Sequence, residues 1–210
     1  MKKKLIAIDG PSSSGKSTIA KNLSNFYQIP YLNTGSLYRA LAFLSDKNKL
    51  SIHEINKICR LVDAISDLDL DSKDIHNEKI GKIASQIAQN PKIRKILFDL
   101  QINFKKNSLN RHNGAILEGR DMGTVICPEA EFKFFVSVDV EIRAKRRFEQ
   151  LQKLNLNIKY KNILEDLKKR DYNDKNRKIA PLIKAGDAII IDNSKQPEIV
   201  LQQITKIIDG

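Results

Sequence analysis

The run Gly10-Pro11-Ser12-Ser13-Ser14-Gly15-Lys16-Ser17-Thr18 satisfies every fixed position of the phosphate-binding pattern G-x-x-x-x-G-K-[ST]. It also stands where that pattern has chemical meaning. The apolar Leu5-Ile6-Ala7-Ile8 precedes it, and Ile19, Ala20 and Leu23 follow at helical spacing, which predicts a buried strand, a glycine-bounded turn and a helix over Lys16–Tyr27. Gly10 and Gly15 free the backbone to turn successive N–H groups toward phosphate oxygens, and the positive end of the helix adds to the attraction. Lys16 then reaches the β and γ phosphates of a nucleoside triphosphate, and Ser17 offers its hydroxyl to Mg2+. A loose Gly/Ser-rich surface loop would require neither the strand before it nor the periodic helix behind it.

The elements that position this loop read as an α/β alternation. Candidate strands are Lys4–Asp9, Pro30–Asn33, Ala115–Glu118, Phe132–Val138 and Ala188–Asp192. Candidate helices are Lys16–Tyr27, Ser36–Asn48, His53–Ala64, Asn77–Gln89, Lys92–Lys106, Glu141–Lys153, Ile163–Asn173 and Glu198–Ile208, with Asn90-Pro91 ending one and opening the next. Such alternation predicts a five-stranded parallel sheet wrapped by helices on both faces. About eighty residues separate the second strand from the third, far more than one crossover helix needs, so a substrate-binding helical insert is expected there. The expected organisation is one domain over residues 1–210, with a core of 1–50, 110–140 and 185–210, an insert over about 51–109 and a basic helical lid over about 141–178.

Composition bounds the answer without deciding it. The chain has 210 residues, 41% hydrophobic and 30% charged, which is ordinary for a globular enzyme. Nothing approaches a membrane-spanning apolar run, and Met1-Lys2-Lys3-Lys4 leads into a short strand rather than a signal-peptide core, so a cytoplasmic protein without a membrane partner is expected. Cys59 and Cys127 lack metal or redox spacing and are expected to be packing residues. His53, His76 and His112 have no partners at catalytic spacing and are expected at the surface. The net charge of +12 implies polyanionic ligands. Its lysines are scattered and lack an aromatic platform for single strands, so nucleic acid is the weaker choice.

A phosphate loop alone does not separate switch, motor and kinase. The guanine-reading Asn-Lys-x-Asp is absent, and the chain is short for a motor. What the sequence does carry is a set of arginines placed after strands and on helix faces, as phosphoryl transfer between two anionic substrates requires. Arg170, Asp174 and Arg177 share a face at i, i+4 and i+7, an arrangement that a plain salt-bridged helix would also give. Arg143 and Arg147 share another at i, i+4, equally compatible with a solvated basic lid.

Four further segments give the pattern specificity. They are Asn33-Thr34-Gly35-Ser36-Leu37-Tyr38-Arg39; Ala84-Ser85-Gln86 with Asn90-Pro91-x-x-Arg94; Glu118-Gly119-Arg120-Asp121-Met122-Gly123-Thr124; and Lys169 through Arg177 continuing to Ala180-Pro181-Leu182. Together, and in order over nearly the whole chain, they resemble bacterial cytidylate kinases. The resemblance implies a P-loop kinase with a nucleoside-monophosphate-binding insert and a helical lid, using Mg2+ and ATP to phosphorylate CMP and dCMP, with a monomer as the expected state.

Carried over by position, the resemblance implies that Arg39, Arg120 and Arg177 hold the acceptor's α-phosphate in the forked geometry of arginine. Ser85, Arg94 and Asp121 would read the cytosine edge, Thr34 and Tyr38 would line that pocket, and Arg170 with Asp174 would contact the sugar hydroxyls. Arg143 would cover the adenine and Arg147 the transferring phosphates, while Glu118 would order Mg2+ through water in a position where related kinases often place Asp. Residues 66–74 are shorter than the family's usual insert, which bears a small antiparallel sheet. Closure of the lid and insert over the substrates would exclude water. Two other readings remain open: a kinase of UMP or of a hydroxyl acceptor, with Asp9, Glu118 or Asp121 as base, and a nucleic-acid-binding ATPase recognised by steep salt dependence.

Overall fold

In a computed structural model, residues 3–153 and 159–210 are described. Lys2 of the basic start, and residues 154–158 of the expected 141–178 lid, lie outside the described residues. The chain divides into two compact units, one formed by Met1–Tyr31 with Ser108–Gly210 and the other by Leu32–Asn107.

The larger unit is built on β1 (Lys4–Asp9), α1 (Lys16–Tyr27), β3 (Gly114–Gly119), β4 (Phe132–Ser137), α6 (Val140–Gln152), α7 (Tyr160–Asn176), β5 (Ile189–Asp192) and α8 (Pro197–Asp209). With β2 (Tyr31–Asn33) the strands form one parallel sheet of order β2-β3-β1-β4-β5. β1 lies central, Ile6 opposite Ile116 on one side and Phe132 on the other. Burial on both faces explains why β1 and β3 read as continuous apolar runs. Ile6, Ile8, Ile116, Phe134, Val136 and Ile191 from the sheet pack with Ile19 and Leu23 of α1 and Ile204 and Ile208 of α8. This packing anchors β1 and β3, from whose ends the loops of the site leave. A separate cluster of Ala144, Leu151, Ile163 and Leu167 holds α6 against α7.

The smaller unit comprises α2 (Thr34–Lys47), α3 (Ile55–Cys59), α4 (Glu78–Ile87) and most of α5 (Pro91–Arg111). Asn33 caps α2 by accepting from the Ser36 N–H, and Asn77 caps α4 through the Ile80 N–H. Asn90 accepts from the N–H groups of Lys92 and Ile93, so Asn90-Pro91 opens α5 as its residue types suggest. The helix expected over His53–Ala64 is broken into α3 and a 3-10 turn at Asp63–Asp67. Ser66 donates to the Asp63 carbonyl within that 3-10 turn, and Asp69 accepts from the Asp71 N–H just after it. Turns follow the 3-10 segment, and none of residues 66–74 is in a strand.

Cys59 and Cys127 are buried free thiols. His53 and His112 are exposed, whereas His76 is half-buried, bonded to the Leu70 carbonyl and 3.5 Å from the Ser36 hydroxyl. Among the described residues, no helix is long and apolar enough to cross a membrane.

Candidate active site

The turn from β1 into α1 adopts backbone conformations that its glycines permit. Gly10 has φ 151° and Gly15 φ 85°, and a Cβ at either would collide, with the Val136 carbonyl and the Asn193 amide respectively. Lys16 folds back over this loop, its ammonium donating to the Pro11 carbonyl at 2.7 Å and to the Ser14 hydroxyl at 3.3 Å. Burial, then the neighbouring Arg120, pull the Lys16 pKa well below the usual range against the opposing pull of Glu118 and Asp9. The Glu118 carboxyl, at the end of β3, is pushed upward by burial despite Lys16 and a hydrogen bond with Ser17. A hydroxyl and a carboxylate side by side form a hard-oxygen set that suits Mg2+, which takes few protein ligands and keeps water and phosphate for the rest. No group of three or more His, Cys, Asp or Glu with metal-binding placement occurs among the described residues.

Beyond β3 the chain enters a π-helical turn, Met122–Ile126, closed by the Cys127 N–H on the Met122 carbonyl at 2.7 Å. Asp9 fixes its start. The two oxygens of this buried carboxylate accept from the Met122 and Gly123 N–H groups, each at 2.8 Å, tying the end of β1 to the stretch that carries Arg120 and Asp121. Burial raises Asp9 to about 6 in spite of both bonds.

Arg120 donates through Nε to Asp174 of α7 at 2.7 Å, and Arg177 lies 3.6 Å from Asp121 while its Nε donates to the Ala180 carbonyl. Burial pushes Asp174 upward, but Arg120, Arg170 and Arg177 together outweigh it and hold the carboxyl below its ordinary value. The larger unit therefore brings together Lys16, Ser17, Glu118, Arg120, Asp121, Arg170, Asp174 and Arg177.

Arg143 departs from expectation. It is buried, forked onto Asp171 at 2.5 and 3.2 Å, and donates to the Ser12 and Val138 carbonyls, so it is not free to lie over an adenine. The α6 residue that lines an open cleft of about 290 Å³ beside the loop is Arg146, together with Gly15, Thr18, Asn22, Asn193 and Lys195. Arg147 donates to Gln150 on its own helix.

Within the smaller unit, Thr34, Tyr38 and Arg39 stand on α2, Ser85 on α4 and Arg94 on α5. Arg94 is buried, with its guanidinium 5.8 Å above the Tyr38 ring. Arg39 donates to the Ile75 and Asn77 carbonyls, each at 3.0 Å, so the segment leading into α4 is anchored on it.

Sequence reasoning missed Asp171, Asn193, Arg146 and the clamping role of Asp9. Asp9 left a trace as a charge ending a mostly apolar strand, where burial demands partners, and Asp171 stood inside the Lys169–Arg177 segment with no role assigned to it. Asp9→Asn keeps the shape but leaves one clamped N–H without an acceptor, so a loss of about 1–3 kcal/mol is expected at neutral pH. An acid whose folded pKa is raised favours the folded state as pH falls through that pKa, and Asn does not titrate. The deficit of the variant should therefore widen by about 1 kcal/mol between about pH 7.5 and about pH 5, measured by urea melts at both. A deficit that narrows over that interval would refute the clamp as drawn.

A phosphate loop on a parallel sheet, with lysine and arginines around it, makes this a P-loop kinase fold. Solved structures with a similar fold include an uncharacterized protein from Eubacterium ventriosum, with TM-score 0.57 at 18% identity over 99% of both chains. A sugar kinase from Janibacter sp. has TM-score 0.54 at 10% identity, over 99% of this chain and 95% of its own. Sequence is more specific. The cytidylate kinase family matches along residues 6–209. A cytidylate kinase of Mesomycoplasma hyopneumoniae is 42% identical over 99% of this chain and 94% of its own, and one of Rhodospirillum rubrum is 38% identical over 91% and 90%. The chain belongs to the cytidylate kinase family.

Proposed function

We propose that this chain transfers the γ-phosphoryl group of ATP to CMP and dCMP, yielding ADP with CDP or dCDP, and that it acts as a monomer. The observation that carries the reading is the gathering of Lys16, Arg120 and Arg177 around the ends of β1 and β3, each held by an acceptor on the protein. Donor and acceptor bring several negative charges together, and preorganised cations at that point lower the barrier without rearrangement. An acceptor phosphate oxygen, already anionic near neutral pH, forms the new bond to the γ-phosphorus as the β,γ-bridging oxygen departs with ADP. Positioning and charge neutralisation therefore suffice, with no general base.

Lys16 bridges the β and γ phosphates, and Arg120 and Arg177 grip the acceptor α-phosphate. Arg147 serves the transferring group. Ser17, and Glu118 through a water, would hold Mg2+, which when bound neutralises phosphate charge. The cleft beside Thr18 and Asn22 takes the donor base, with Arg146 on its wall in place of Arg143. Asp121, Ser85 and Arg94 read the acceptor base, Thr34 and Tyr38 frame it, Arg39 adds to the phosphate grip, and Arg170 with Asp174 meets the sugar.

A hydroxyl-phosphorylating kinase would need one of Asp9, Glu118 or Asp121 as base. Asp9 is committed to two backbone N–H groups and Asp121 to Arg177, which disfavours that reading. The decisive test is a panel of nucleoside monophosphates with Mg-ATP, followed by ADP formation. CMP and dCMP should be the best acceptors, UMP weaker and AMP or GMP poor, because a mismatched base edge leaves buried polar groups unpaired. Phosphorylation of AMP or cytidine as efficiently as CMP would overturn the assignment.

A further inference from the structure

Asn193 sits in the turn after β5, far along the chain from the phosphate loop, and belongs to none of the motifs above. Its side chain is buried and donates from Nδ2 to the Ser14 carbonyl at 2.7 Å. The same amide fills the space beside Gly15 that a Cβ would need. The turn that carries it is held from three sides. The Asn193 N–H donates to the Ser137 carbonyl of β4 at 3.1 Å, Arg146 donates to the Asn193 carbonyl at 2.8 Å and to that of Ser194 at 3.3 Å, and Asp192 accepts the Ser194 N–H. A short side chain on so constrained a backbone has little freedom to move.

The Ser14 carbonyl and the Gly15 N–H are two ends of one planar trans peptide, so fixing the oxygen on one side aims the N–H to the other. Accepting a bond at the carbonyl also polarises the peptide and strengthens its N–H as a donor. Gly15, at φ 85°, has no steric preference strong enough to set that plane by itself. We infer that Asn193 is a positioning residue for phosphoryl transfer: its amide sets the orientation and donor strength of the Ser14–Gly15 peptide, and hence the grip of the loop on the donor's phosphates. This rests on the reading of the loop as the ATP phosphate site. It predicts an effect proportional to phosphate contact, which a mere wall of the neighbouring cleft would not produce.

The test uses the full chain, with Asn193→Ala and the isosteric Asn193→Asp, which places a second acceptor against the Ser14 carbonyl. Inhibition against ATP by inorganic tripolyphosphate and by adenosine is measured, together with KM for ATP and CMP, kcat and melting temperature. For Asn193→Ala, tripolyphosphate inhibition and kcat/KM for ATP should each weaken about tenfold, with part of the loss in kcat, because a misaimed donor fails at the transferring group. Adenosine inhibition and the KM for CMP should stay within about twofold of wild type, and Asn193→Asp should be worse than Asn193→Ala. Unchanged tripolyphosphate inhibition in either folded variant overturns the inference, as does an equal loss for adenosine. Should Asn193→Ala not fold, the same criteria are applied to Asn193→Asp alone. If tripolyphosphate fails to compete with ATP in the wild-type protein, the phosphate-loop reading itself has failed.

Discussion

Lys16→Ala should lower kcat about a hundredfold or more under saturating ATP and CMP, the largest effect of any single change considered. Its ammonium is seated on the loop, held within 3.3 Å of its two oxygen partners before any phosphate arrives. Removing it deletes a charge aimed where negative charge develops. The fold should tolerate the loss. A buried lysine whose pKa is lowered costs the folded state stability while it is protonated, so alanine relieves that cost while giving up two hydrogen bonds. The melting temperature is therefore expected to change by only a few degrees. Turnover close to wild type in a folded Lys16→Ala protein would remove Lys16 from the mechanism.

The second large effect distinguishes two neighbours. Arg120→Ala should reduce kcat/KM for CMP, dCMP and UMP alike, because its proposed partner is the phosphate common to all three. Asp121→Ala should instead compress the preference for CMP over UMP. Each lost charge-assisted bond is worth about 1.5–3 kcal/mol, or about ten- to a hundredfold in kcat/KM. Both residues are ion-paired, so each variant also removes one partner from a charged side chain, Asp174 in one case and Arg177 in the other. Arg120→Lys separates the effects, since it keeps a charge beside Asp174 but loses the forked geometry, and should hold the melting temperature near wild type while kcat/KM stays reduced for all three acceptors. If Arg120→Ala shifts the base preference while Asp121→Ala lowers every acceptor equally, the two roles are reversed.

What the sequence made legible is what local chemistry decides. The strand Lys4–Asp9 and the helix Lys16–Tyr27 agree with the structure to the residue, because glycine, the apolar run and helical spacing act within one short segment. The break at Asn90-Pro91 is legible for the same reason. The face of α6 is not. Arg143 and Arg147 lie at helical spacing, but which arginine is buried depends on Asp171, nearly thirty residues away on α7. The π-helical turn at Met122–Ile126 depends likewise on Asp9, more than a hundred residues earlier. The long helix expected over His53–Ala64 stops at Cys59 and gives way to a 3-10 turn over Asp63–Asp67, a change that periodicity does not register. The motif residues, Asp121 and Asp174 among them, were identifiable by type, whereas which arginine each carboxylate pairs with depends on contacts distant in sequence.

Those partners change where the protein keeps its charge. Arg120, Arg143 and Arg177 each stand against an aspartate, so the excess of +12 resides chiefly on outward-facing lysines rather than in the arginine cluster. Encounter and recognition are thus entrusted to different populations of cations. The outer one acts at a distance and is screened within about 10 Å at moderate ionic strength, while the inner pairs are shielded from salt by burial. Raising ionic strength should slow the arrival of nucleotides far more than it loosens them once they are seated.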